Sequence, residues 1–264
     1  MNNICFYIPF SYAISTRLLS ISKFALITWL MEYLVPLSTI LLFIRPVNWH
    51  LFLVGLVAVY NLYEIGYIQN DCETIKKENE PTKRLSHENL TYYERNKWVV
   101  YFIRGVIAVF ISFVIYKYFV VSDVKVKLFL LWVILPIYCV YNSYRTKWSF
   151  FLITMLTSWR YMMPMILSTY NVSFILVLYL YILYPFPTFL QQCVLGKFGV
   201  TIKIVKKYII SDFSKRYLFR VKYYTLLVII VSVLILFGFI PNWIIIVPVY
   251  YLVMRLFLFE INER

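Results

Sequence analysis

Apolar residues come in runs of about twenty along most of this chain, divided by short polar breaks. An α-helix needs about 20 such residues to cross the hydrocarbon of a bilayer. The runs lie at about 22–44, 47–70, 98–121, 126–141, 149–168, 172–191, 223–240 and 243–259. They predict an all-α fold, a polytopic integral membrane helical bundle of about eight transmembrane helices. A tilted or re-entrant piece would make the count nine or seven. The runs are too long, and alternate too little, for the ~10-residue strands of a membrane β-barrel. Pro36, Pro136, Pro164, Pro185 and Pro187 fall within or near the ends of these runs and predict kinks or breaks. Residues 1–20 are mixed and aromatic, with Arg17 as the first charge, and predict an interfacial helix leading into the bundle. Two polar stretches, about 71–97 and 193–222, read as loops of one transmembrane domain covering residues 1–264.

Composition agrees with the pattern. The chain is 62% hydrophobic and 14% charged, where a soluble domain has about half apolar and roughly 25% charged residues. The net charge of +14 invites a nucleic-acid reading, but the basic residues concentrate on one side of the predicted spans. With the N-terminus inside, the inner loops hold Lys76, Lys77, Lys83, Arg84, Arg95, Lys97, Arg145, Lys147 and the basic run from Lys197 to Lys222. The outer loops hold Arg45, Lys117, Lys125 and Lys127. This asymmetry predicts a cytoplasmic N-terminus and two cytoplasmic long loops. The expected location is the bacterial inner (cytoplasmic) membrane, with no nucleic acid as partner. Cys5, Cys72, Cys139 and Cys193 show no CxxC, and His50 and His87 stand alone, so no zinc site is expected. The N-terminus has no pattern of a removable signal peptide.

Candidate chemistry collects at the end of the second run. Seven of the twelve acidic residues lie between Glu64 and Glu94. A carboxylate within a span is costly and is a functional candidate by default. If the second helix continues past the membrane surface, residues seven apart fall on nearly one face, about 10 Å apart along the axis. Glu64, Asp71 and Glu78 then form one acidic stripe, and Glu73 points the other way. Such carboxylates suit the two ends of a Mg²⁺–diphosphate unit, because Mg²⁺ binds through one or two carboxylates plus substrate phosphates. Lys83 and Arg84 follow as a second grip on phosphate. Arg104 and Arg160 lie within spans, where each would pair with Glu64 or Glu32, snorkel to the surface, or meet a phosphate. Lys203, Lys206 and Lys207 form a basic segment suited to anionic lipid head groups. Tyr179, Tyr181, Tyr184 and Phe186 are candidates to line a lipid-chain tunnel.

These residues resemble the UbiA superfamily of membrane prenyltransferases, whose first motif is NDxxDxxxD. Asn70 and Asp71 match its opening pair and Glu78 its last acid, with Thr74 at the middle acid's position. The PTKR segment at 81–84 is similar to that of decaprenyl-phosphate phosphoribosyltransferases in the same superfamily. Tyr141, Ser143 and Lys147 look like the Tyr-Ser…Lys loop after the fourth helix. No Asp or Glu lies between Asp123 and Asp212, where the family carries its second acidic motif. The corresponding region offers Gln191, Gln192 and Lys197, with Asp212 beyond it.

The resemblance implies a transferase that moves a prenyl or polyprenyl group from its diphosphate to an unknown acceptor. Mg²⁺, as a single ion, would sit on Asp71 and Glu78, with Glu64 as a third catalytic acid. Asn70, Lys83, Arg84, Arg160 and Lys147 would bind the diphosphate, and Lys197, Lys203 and Asp212 would reach it from the second loop. In an alternative within the superfamily, a polyprenyl phosphate attacks a sugar diphosphate such as phosphoribosyl diphosphate. An alternative from another class is a non-catalytic UbiA-like membrane protein or a carrier of lipid-linked substrates.

Overall fold

The computed structural model describes residues 2–20, 22, 24–44, 46–77, 82–119, 122–144, 147–195 and 201–263. An N-terminal segment holds a 3-10 turn at Asn3–Phe6, a helical turn at Ser11–Ala13 and a π-helical turn at Ile14–Leu18. Then follow α1 (Ala25–Phe43), α2 (Trp49–Cys72), α3 (His87–Tyr118) and α4 (Val124–Ser143). The rest is α5 (Ser149–Ser168), α6 (Phe174–Leu183), α7 (Pro185–Leu195), the short α8 (Lys203–Tyr208), α9 (Arg216–Leu236) and α10 (Ile246–Glu263). Among the described residues there is no strand, only an isolated bridge between Val47 and Thr169. Seven helices are long and apolar enough to cross a membrane, or eight if α6 and α7, bent by 44°, form one span.

The helix starts follow from local chemistry. Asn48, Ser86 and Ser173 each accept a hydrogen bond from a backbone N–H three residues on, capping α2, α3 and α6. The spans match the apolar runs, but the first polar stretch contains more helix than expected. α2 runs to Cys72 and a 3-10 turn covers Thr74–Lys77, while α3 starts at His87, about three turns before the apolar run at Trp98. The second polar stretch likewise contains α8.

α2 is the central helix. In its most apolar stretch 72% of residues are buried, against 22–50% in the other unbroken spans. Gly66 permits this crowding on one side, since the Tyr138 ring of α4 occupies the space a Cβ would need.

The prolines tie the bundle together. A proline deprives the carbonyl four residues earlier of its helical donor, and inside a bilayer such a carbonyl must find another. In four cases a tyrosine hydroxyl from a different helix supplies it. Pro36 leaves the Glu32 carbonyl to Tyr251 (2.6 Å), and Pro164 leaves that of Arg160 to Tyr33 (2.6 Å). Pro187 leaves the Leu183 carbonyl to Tyr224 (2.7 Å), and Pro248 leaves that of Ile244 to Tyr179 (2.7 Å). These bonds run from α9 to α6, α6 to the 3-10 turn Asn242–Ile245 that leads into α10, α10 to α1, and α1 to α5. A row of tyrosines thus joins half the bundle through backbone atoms that prolines expose. Tyr33→Phe should lower stability by about 1–3 kcal/mol, the cost of an unsatisfied buried acceptor. A shift in thermal denaturation in detergent would read this, and an unchanged midpoint would show that the Arg160 carbonyl needs no partner.

The N-terminal segment departs from expectation. It does not lie as an interfacial helix but wedges into the bundle. Phe6 and Tyr12 are fully buried, packed with Ile68, Cys72, Tyr93 and Val100 of α2 and α3. Phe10, at a φ of 70°, turns the chain and stacks on Tyr60 at 4.4 Å between ring centroids.

Candidate functional site

Two buried acids of α2 hold this wedge, and they do it from one helix face, as the seven-residue spacing predicts. Glu64 is completely buried and pairs with Arg104 of α3 at 2.8 Å. Its other oxygen accepts from the backbone N–H of Ala13 at 2.6 Å. Arg104 donates to the Phe6 carbonyl (2.9 Å), the Ile8 carbonyl (3.1 Å), the Cys5 carbonyl (3.3 Å) and Asn61 Oδ1 (3.1 Å). Glu64, expected as a catalytic acid, is therefore bound into a structural network that holds the N-terminal segment, and it does not line the cavity described below. A carboxylate in this position is tolerated because the Arg104 guanidinium matches its charge.

One helical stretch further on, Asp71 is 1% exposed. Its Oδ1 accepts from Arg17 at 2.8 Å, Asn70 at 3.0 Å and Arg84 at 3.3 Å. Its Oδ2 accepts from the Tyr12 hydroxyl at 3.0 Å. Glu73, on the opposite side of the chain, accepts from Tyr101 (2.7 Å) and Lys97 (3.0 Å) of α3. Burial opposes the Arg17 charge, but Asp71, Tyr67 and Tyr12 together offset it, so its pKa is raised and the guanidinium stays charged. Burial and the Asp71 charge likewise push the Tyr12 hydroxyl up, which keeps it a hydrogen-bond donor.

Arg17 and Arg84 face a cavity of about 440 Å³ at the polar end of α2. Arg160 of α5 lines the same cavity, together with Tyr67, Asn70, Thr82, Tyr141 and Thr157. Arg160 donates to the Tyr67 hydroxyl at 2.9 Å and lies over the Tyr63 ring at 5.2 Å. Arg17 lies over the Tyr67 ring at 4.4 Å. The walls thus carry three guanidiniums, and Asp71 behind them is the one carboxylate they touch among the described residues. The local excess is two positive charges. Such a cavity suits an anion with several acceptor oxygens, because guanidiniums grip phosphate in pairs of parallel hydrogen bonds.

Of the expected phosphate contacts, Asn70, Arg84 and Arg160 line the cavity, and Tyr141 of the YNSYRTK segment joins them. Lys83 and Lys147 are exposed and do not line it. Lys203 is exposed on α8, and Asp212 is exposed and bonded to Ser214 at 2.9 Å, so neither belongs to this group. Glu78 and Lys197 lie outside the described residues. Arg17 was not among the expected contacts. Its signal is that of a lone cation in an apolar N-terminal stretch, and only the wedge brings it to Asp71.

Of the two acids that the resemblance implies as Mg²⁺ ligands, Glu78 lies outside the described residues and Asp71 is already occupied. A carboxylate offers about four lone-pair sites, and Asp71 receives four donors, two of them cationic. No three His, Cys, Asp or Glu side chains come together as metal ligands among the described residues. Asp71 here acts as a buried clamp that aligns two arginines.

Fold and site together define a polytopic helical membrane protein with a cationic cavity at one end of its central span. Comparisons with protein families, with characterised proteins and with solved structures find no match.

Proposed function

We infer that the protein is a membrane transferase of the UbiA type that binds the diphosphate or phosphate of an isoprenoid lipid in the Arg17–Arg84–Arg160 cavity. The observation that supports this is the cavity itself: three guanidiniums converge where a span meets a polar loop, with one buried carboxylate to orient two of them. The lipid chain stays in the bundle or the bilayer and the charged head enters the cavity from the cytoplasmic side of an inner membrane. The arginines draw charge onto the departing diphosphate as the allylic C–O bond breaks, which is the main electrostatic work of such a reaction. An acceptor then bonds to the allylic carbon. Because Asp71 is saturated by its own donors, head-group binding in this reading rests on arginines and needs no divalent ion.

The test is equilibrium binding of inorganic pyrophosphate and of a prenyl diphosphate to the purified protein, with Mg²⁺ and with EDTA. Binding that survives EDTA is expected, and binding seen only with Mg²⁺ would overturn the arginine site. Arg160→Met should weaken binding about 10- to 100-fold, since a charged hydrogen bond contributes about 1.5–3 kcal/mol. A second reading, a non-catalytic carrier of phosphorylated lipids, is favoured by the lack of a second acidic motif, since no Asp or Glu lies between Asp123 and Asp212. Pyrophosphate release from a prenyl diphosphate in the presence of acceptors separates the two.

A further inference from the structure

Arg160 lines a second cavity as well. This one, of about 350 Å³, lies between the end of the N-terminal segment, α1 and the bend between α6 and α7. Its walls include Ser22, Thr28, Trp29, Glu32 and Tyr184. The volume falls in the range of small-molecule sites. Glu32 is the acid of this cavity, and it sits within a span, where an ionisable group needs a reason. Arg255 of α10 accounts for half of it: a guanidinium nitrogen holds Glu32 Oε1 at 2.7 Å. The Glu32 side chain nevertheless remains 19% exposed, against 7% for Arg255 and 0% for both partners of the Glu64–Arg104 pair. Glu32 lies in a π-helical turn, Leu30–Leu34, just before Pro36, the kind of helix irregularity that often marks function. Tyr33, the next residue, fixes the backbone of Arg160 through its hydroxyl. The two cavities are therefore registered to each other through one arginine and one π-helical turn.

We propose that this second cavity receives the acceptor, a small molecule carrying a nucleophilic hydroxyl or amine, and that Glu32 takes the acceptor's proton. The proposal rests on the reading of the first cavity as the diphosphate site. The acceptor's oxygen or nitrogen forms the new bond to the allylic carbon. The C–O bond to the diphosphate breaks, and its electron pair leaves with the diphosphate toward Arg17, Arg84 and Arg160. The acceptor's proton passes to the Glu32 carboxylate. Arg255 keeps the carboxylate oriented, and Arg160 stands between leaving group and nucleophile.

The experiment uses the full chain in lipid nanodiscs, wild type and Glu32→Gln, which keeps an oxygen for Arg255. Binding of an unreactive prenyl thiodiphosphate reports the first cavity. Transfer of a prenyl group to phenolic, primary-amine and aliphatic hydroxyl acceptors reports the second. Expected are analogue binding within about twofold of wild type and transfer reduced 100-fold or more, the scale of a lost general base. Failure of the wild type to bind the analogue would remove the diphosphate site and this proposal with it. Three outcomes would overturn the role of Glu32 alone once the wild type binds the analogue: a variant that transfers at the wild-type rate, a variant that loses analogue binding too, or a wild type that transfers to none of the acceptor classes.

Discussion

Glu64→Ala is expected to destabilise the protein by about 3–5 kcal/mol, the usual consequence of leaving one charge of a buried pair without its partner. The stranded charge is Arg104, fully buried in mid-span. Its remaining partners are carbonyls of residues 5, 6 and 8 and the Asn61 side chain, which are dipoles and not counter-charges. The Ala13 N–H loses its acceptor in the same step. The damage should concentrate in the N-terminal wedge, so residues 2–18 should become open to protease at temperatures where α2–α5 remain folded. A double variant, Glu64→Gln with Arg104→Met, removes both charges and should recover much of the loss, because replacing a buried pair with neutral groups is often near neutral. If the single variant is as stable as wild type, the wedge is not held by this pair. A catalytic Glu64 predicts another pattern: loss of turnover with unchanged stability.

Asp71→Ala separates the two accounts of the cavity. With Asp71 as metal ligand, pyrophosphate binding should vanish. With Asp71 as a clamp, the arginines remain and their mutual repulsion is exposed. Arg17 and Arg84 are 18% and 32% exposed, so they can turn toward water. The expected stability loss is therefore about 2–3 kcal/mol, less than for Glu64. Pyrophosphate should still bind within about tenfold of wild type, and should restore stability by mass action, by about 2.7 kcal/mol at 100 times its dissociation constant. Thermal denaturation of wild type and variant with and without pyrophosphate, in EDTA, reads both effects. A variant that pyrophosphate cannot stabilise would return Asp71 to the role of ligand.

The acidic stripe shows where sequence reasoning reaches and where it stops. Helical geometry correctly puts Glu64 and Asp71 on one face and turns Glu73 to the other, because α2 stays helical through Cys72. Much of what that face meets lies fifty or more positions earlier. Nothing in the N-terminal stretch distinguishes a wedge from an interfacial helix, since the same aromatic residues suit a membrane surface and a crowded core. The pairing of Arg104 with Glu64 was one of several open partnerships, and only the packing of α3 on α2 selects it. The tyrosine–proline bonds were not legible at all. A proline announces which carbonyl it deprives, but the hydroxyl that satisfies it comes from another helix at an unpredictable distance along the chain.

The sequence by itself determined an all-helical, membrane-type bundle, the positions of its spans, the sites of its breaks and the stretch where its charges gather. Those follow from local physics: apolar run length, proline geometry and the cost of charge in lipid. Only the tertiary structure decided that Arg17 joins Arg84 and Arg160 around one cavity, that Asp71 is consumed in holding two of them, and that Glu32 borders a second cavity beside the first. Those arrangements are set by which helices touch. A charge in a low-dielectric interior is defined by its nearest partners, and those partners are brought together by the fold.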